Sequence, residues 1–102
     1  MRNYMSERYT KQTRIALYER LLDKYDWRLQ VIVAIEEMAE LSQELTTVLR
    51  HDGVIDKGRI VEELADCFIM YEQLGMIFSV QEEEFGEMVN KKMEWVEVLT
   101  QK

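Results

Sequence analysis

The sequence predicts an all-α protein, an antiparallel four-helix bundle that assembles into a homo-oligomer. Three observations carry that expectation. No proline interrupts the 102 residues and glycines number only four, so helix breakers are scarce. Apolar residues recur at steps of three and four, the period of a helix face. The gaps between such stretches are short, which makes consecutive helices antiparallel neighbours. A chain of this length has room for one core, so residues 1–102 are expected to form a single helical domain.

The first periodic stretch starts near Ser6 and carries Ile15, Tyr18, Leu22 and Tyr25 on one face. Asp26 is placed to cap the second helix, which runs from Trp27 towards Arg50. Residues 51–58 hold Gly53, Gly58, Asp52 and Asp56 and read as the main loop. A third helix is expected from about Arg59 to Phe78. Ser79 and Glu82 have capping-box spacing and open a fourth helix that reaches Leu99. Gly75 and Gly86 fall near helix ends or inside them.

The third helix is apolar over most of its circumference. Ile60, Leu64, Cys67, Phe68, Tyr71 and Leu74 form one face, and Ile69, Met70, Met76 and Ile77 cover much of the other. Burying such a helix in so short a chain calls for a second subunit, hence the expected homo-oligomer.

Twenty acidic residues against thirteen basic ones leave a net charge of −7. That balance repels phosphate backbones and anionic bilayers, so nucleic acid and membrane are not expected partners. Hydrophobic residues at 47% and charged residues at 32% exclude a disordered chain. Cys67 is the only cysteine, which rules out an internal disulfide and a thiolate zinc site. The first eight residues lack an apolar signal core, and no apolar run approaches the roughly 20 residues that span a bilayer. A reducing, cytoplasmic setting is expected.

The positions of the acids say more than their number. The second helix carries Glu37 and Glu40, and the third carries Glu63 and Asp66. Residues three apart project from the same side of a helix. If the two helices pack side by side, four carboxylates converge. Glu63 and Asp66 bracket Met70 and Ile77 on the wheel, in an apolar surround. Crowded anions must take up protons or meet a cation. Oxygen ligands alone select a hard cation, Mg2+ or Mn2+. A bundle di-iron site requires Glu-x-x-His pairs, and the single histidine, His51, supplies none. The plain alternative is a solvated acidic face. On the fourth helix Lys92 falls within the stripe of Phe85, Met88, Val89, Val96 and Leu99, aimed either at water or at a bound phosphate, with Lys91 beside it. Gln30 and Trp27, near Glu37 on the second helix, are candidate base contacts by amide hydrogen bonds and stacking; the alternatives are a surface glutamine and a core tryptophan.

The strings Ala34-Ile35-Glu36-Glu37-Met38-Ala39-Glu40-Leu41 and Glu62-Glu63-Leu64-Ala65-Asp66 resemble the EExxE…ExxD signature of the MazG-like all-α nucleoside triphosphate pyrophosphohydrolases. That superfamily includes the dimeric dUTPases and the dCTP pyrophosphatases. The resemblance covers roughly Trp27 to Glu94. It implies Mg2+-dependent cleavage of a nucleoside triphosphate to monophosphate and pyrophosphate, with Glu37, Glu40, Glu63 and Asp66 as metal ligands. It makes Glu36 the acid that orients or deprotonates the attacking water, and Lys92 the lysine that meets the phosphates. It also implies a helical bundle assembled as dimers or tetramers. The chain departs from it at two places. Trp95, Val96 and Glu97 stand where several relatives carry an asparagine or arginine. Met70 stands where some dCTP-selective members carry a tyrosine. No Gly-rich phosphate loop is present, so a cation and Lys92 would have to do its work. A non-catalytic helical interaction module, or a nucleotide-binding regulator, is the competing expectation.

Overall fold

The computed structural model describes residues 7–50 and 54–102. A short 3-10 turn, Glu7–Tyr9, leads into four helices: α1 Lys11–Lys24, α2 Trp27–Arg50, α3 Lys57–Ile77 and α4 Glu82–Thr100. The described residues contain no strand. The protein is all-α. Ser6, the expected start of the first helical stretch, and residues 51–53 of the main loop, His51 among them, lie outside the described residues.

Each boundary has a local cause. The Thr10 hydroxyl accepts the Thr13 N–H at 3.2 Å and starts α1. The Asp26 carboxylate accepts the Arg28 N–H at 2.7 Å, so Asp26 caps α2 as its sequence position predicts. Asp56 does the same for α3, accepting from the Arg59 N–H at 3.2 Å, which starts that helix at Lys57, two residues before the expected point.

The exit from α3 departs from the expected capping box. Ser79 does not cap α4; it adopts a left-handed backbone with φ of 52°. Around it the Val80 N–H bonds to the Gly75 carbonyl at 2.9 Å and the Ser79 N–H to the Met76 carbonyl at 3.2 Å, a Schellman closure of α3. The reciprocal half of a capping box lies two residues on, where the Gln81 N–H donates to Glu84 at 3.0 Å. Gly75 and Gly86 both lie inside helices, in α3 and α4.

The central unit is the antiparallel α2–α3 pair. Glu44 meets Arg59 at 2.6 Å near one end, and the Cys67 thiol reaches the Glu37 carbonyl at 3.6 Å midway. Ala34, 1% exposed, on α2 and Met70 on α3 are both buried. Along the α3 side of this seam Glu63, Met70 and Gln73 are buried. The broad apolar face of α3 is partly covered: Leu64 and Tyr71 remain about half exposed, while Ile60, Cys67, Phe68 and Leu74 are half-buried. The α2 helix therefore covers the stripe that contains the acids together with the Cys67 edge of the apolar face.

The first helix leans on α3 through one carboxylate. Glu72 accepts from Arg14 Nε at 2.8 Å, Arg14 Nη2 at 3.0 Å and the Tyr18 hydroxyl at 2.8 Å. Arg14 also lies over the Phe68 ring, 5.4 Å from its centroid. Among the described residues the last helix is held at its start, by the Lys11–Glu82 ion pair and by Phe85 against Tyr71 at 5.4 Å between ring centroids. Beyond Gly86 every residue of α4 is exposed. Four helices are present, but a single chain does not wrap them into a closed bundle.

Candidate metal centre

Position and register assemble the site. Glu37 and Glu40 lie one turn apart on the seam side of α2, Glu63 and Asp66 one turn apart on the seam side of α3. The antiparallel register that pairs Glu44 with Arg59 puts Glu40 opposite Glu63 and Glu37 opposite Asp66. One oxygen from each of the four carboxylates lies within 4.8 Å of the other three. Glu63 is buried, Glu37 and Asp66 are half-buried, and Glu40 is exposed. The cluster lies between the two rods, with Glu40 as its exposed member.

The electrostatics are those of crowded anions. Burial, then Asp66 and Glu40, push the Glu37 carboxyl up to about 7. Glu63 is also raised, by burial first and then by Glu40 and Asp66. Among the described residues no hydrogen-bond donor reaches the buried Oε2 of Glu37 or of Glu63. Buried polar oxygens are almost always satisfied, so these two require protons, water or a cation. Arg59 forms its ion pair with Glu44 and acts on Glu63 only through its field.

Geometry and donor chemistry fit a hard divalent ion. Ligand oxygens around one Mg2+ at about 2.1 Å are spaced about 3–4.2 Å from one another. A mutual spread of 4.8 Å reaches that arrangement with small rotamer adjustments. All donors are carboxylates, which suit Mg2+ or Mn2+ over softer metals. Both pairs stand on rigid helices, so little ordering remains to be done on binding.

The other candidate residues are distributed as follows. Glu36 is exposed on α2 and is not among the four that converge. Lys91 and Lys92 are exposed on α4 and make no ion pair among the described residues. Trp27 is half exposed, with its ring edge-on to Phe78 at 6.3 Å and Arg28 stacked 4.8 Å from its centroid. Gln30 is buried, not a surface residue. The α2–α3 register sets it in the same layer as Gln73, 3% exposed, whose Oε1 has no donor among the described residues. The burial of Gln73 and the half-burial of Glu72 were not legible from the sequence. The signal for Glu72 was the pair Arg14 and Tyr18, four residues apart on one face of α1.

Compared with protein-family models, curated proteins and solved structures, the chain matches none of them. Its resemblance to the MazG-like enzymes therefore rests on the spacing of its acids. No helix among the described residues is long and apolar enough to cross a membrane.

Proposed function

We propose that this chain is a Mg2+-dependent nucleoside triphosphate pyrophosphohydrolase, with Glu37, Glu40, Glu63 and Asp66 holding the cation and Mn2+ able to substitute. The observation that carries the reading is the convergence of four carboxylates from two helices, two of them with buried, undonated oxygens. A divalent cation bound there would neutralise phosphate charge and lower the pKa of its water.

The chain's own residues supply positioning. Glu63 and Asp66, fixed on α3, hold one wall of the pocket, and Glu37 and Glu40 the other. The exposed side at Glu40 admits the polyphosphate together with its counter-ion, which is how a chain of charge −7 takes an anionic substrate. In the reaction the P–O bond between the α- and β-phosphates breaks, and water contributes hydroxyl to one product and a proton to the other. Glu36 and Lys92 enter this scheme through the family resemblance, as water-orienting acid and phosphate contact, and Lys91, Trp27 and Gln30 as further substrate contacts. A homo-oligomer completes the bundle.

The test is pyrophosphate release from a panel of canonical and modified nucleoside triphosphates, with Mg2+ or with EDTA. Metal-dependent release from at least one is expected, and release from none refutes the enzyme. A second reading, a non-catalytic interaction module or nucleotide-binding regulator, draws on the exposed apolar face of α4. Nucleotide binding by calorimetry without turnover would select it.

A further inference from the structure

The α2–α3 seam has a chemical direction. The register that pairs Glu44 with Arg59 and sets Glu40 opposite Glu63 stacks its layers in order. Glu44 and Arg59 stand towards the helix ends that also carry Arg50 and Lys57. The four carboxylates come next. Beyond them the buried seam residues, Ala34 and Gln30 of α2 with Met70 and Gln73 of α3, carry no charge.

The ion pair uses only part of Arg59. Its Nε donates to Glu44 Oε1 at 2.6 Å, which engages one of five guanidinium N–H groups. Among the described residues Nη1 and Nη2 have no hydrogen-bond partner. The two side chains also differ in depth: Glu44 is 16% exposed and Arg59 59%. The sheltered carboxylate is the fixed partner, and the guanidinium that it orients opens to solvent. A planar fork held in this way matches two phosphate oxygens at once. Arg59 lies one turn before Glu63 on α3, about 6 Å along the axis, and the fields of Glu62 and Glu63 reach it. A phosphate on a cation held by the four acids therefore has its neighbour in the polyphosphate within reach of the fork. Lys92 belongs to α4 and is not part of this line.

We infer that Arg59, oriented by Glu44, holds the β- and γ-phosphates of the substrate. A nucleoside triphosphate then lies along the seam in one direction, terminal phosphates toward Arg59, sugar and base toward the uncharged layers of Gln30 and Gln73. The inference rests on the proposed hydrolase site and adds a phosphate contact and a polarity that the acids alone do not specify. Arg59 is a substrate-binding residue, and Glu44 is a positioning residue.

Inorganic pyrophosphate with Mg2+ is the probe, titrated calorimetrically into the full chain. Arg59→Ala is expected to weaken its binding about 10-fold or more, through loss of charge-assisted hydrogen bonds. Arg59→Lys keeps the charge without the fork and should recover part of the loss. Mg2+ alone should bind Arg59→Ala at least as tightly as the parent, because a neighbouring positive charge has gone. A nucleoside monophosphate, which lacks the terminal phosphates, should bind the two chains alike. Glu44→Gln keeps an acceptor for Nε and should stay close to the parent, whereas Glu44→Ala should weaken pyrophosphate binding. Arg28→Ala, at the opposite end of α2, should bind pyrophosphate normally. A parent chain that binds no pyrophosphate, an unchanged affinity in Arg59→Ala, or an equal loss for Mg2+ alone or for the monophosphate overturns the inference. Absence of turnover in the parent refutes the hydrolase, and the calorimetric comparison still decides whether Arg59 holds the anion.

Discussion

Glu37 and Asp66 face each other across the α2–α3 seam, and the second carboxylate helps hold the first in its protonated form up to about 7. Two anions from separate helices thus share a space that neither would choose in water. The arrangement costs stability whenever both are ionised and no cation is present.

That cost has a pH signature. Between the ordinary value of 4.5 and about 7 the folded chain keeps a proton on Glu37 that the unfolded chain has released. Stability in EDTA should therefore fall as pH rises through this window and stay low above it. Thermal melts across the window check the slope, and Glu37→Gln should flatten it. If the site holds Mg2+ as proposed, saturating ion should raise the melting temperature most above pH 7, where Glu37 is ionised.

Removing an acid should separate stability from activity. Glu63→Gln is expected to melt higher than the parent in EDTA, because a buried charge is gone. It should lose the Mg2+-induced shift in the same melt. Asp66→Ala should reduce metal-dependent pyrophosphate release by about 100-fold or more, as loss of a transition-state charge partner does, with helix content unchanged by circular dichroism.

Glu72 anchors α1. The hydrogen bonds from Arg14 and then Tyr18 hold its carboxyl below the ordinary range. Its contribution is present above that range and is lost as pH falls through the depressed value. Tyr18→Phe should cost about 1.5–3 kcal/mol, one hydrogen bond to a charged acceptor. Arg14→Ala should lower the melting temperature further and abolish its decline at acid pH, both readable in urea or thermal melts.

Ser79 occupies a left-handed position that usually takes glycine or asparagine. Ser79→Gly should stabilise the chain by about 1 kcal/mol, since the steric cost of the side chain disappears. Ser79→Ala keeps that cost and should give no gain. Denaturant midpoints distinguish the two.

Much of this was written in local spacing. Asp26 before Trp27 and the three-residue spacing of Glu37 with Glu40 and of Glu63 with Asp66 are short-range signals, and the helices fall where those signals put them. Pairing was harder to read, because α3 is apolar on two sides and nothing local says which side α2 covers. The choice goes to the stripe of Glu63, Met70 and Gln73, which is buried together with Ala34 of α2. Ser79 misled for a different reason: serine and glutamate at capping-box spacing fit a cap, but the preceding helix claims the serine for its own termination. The open position of α4 was legible only as an excess of apolar surface.

Ala34 also governs the spacing of the rods. It is a single methyl, almost wholly enclosed, one turn before Glu37. Any bulkier side chain there would act as a wedge and widen the gap between α2 and α3 beside the carboxylates. The smallest residue of the seam is thus its calliper, setting from one turn away how near the two pairs of acids can come to each other.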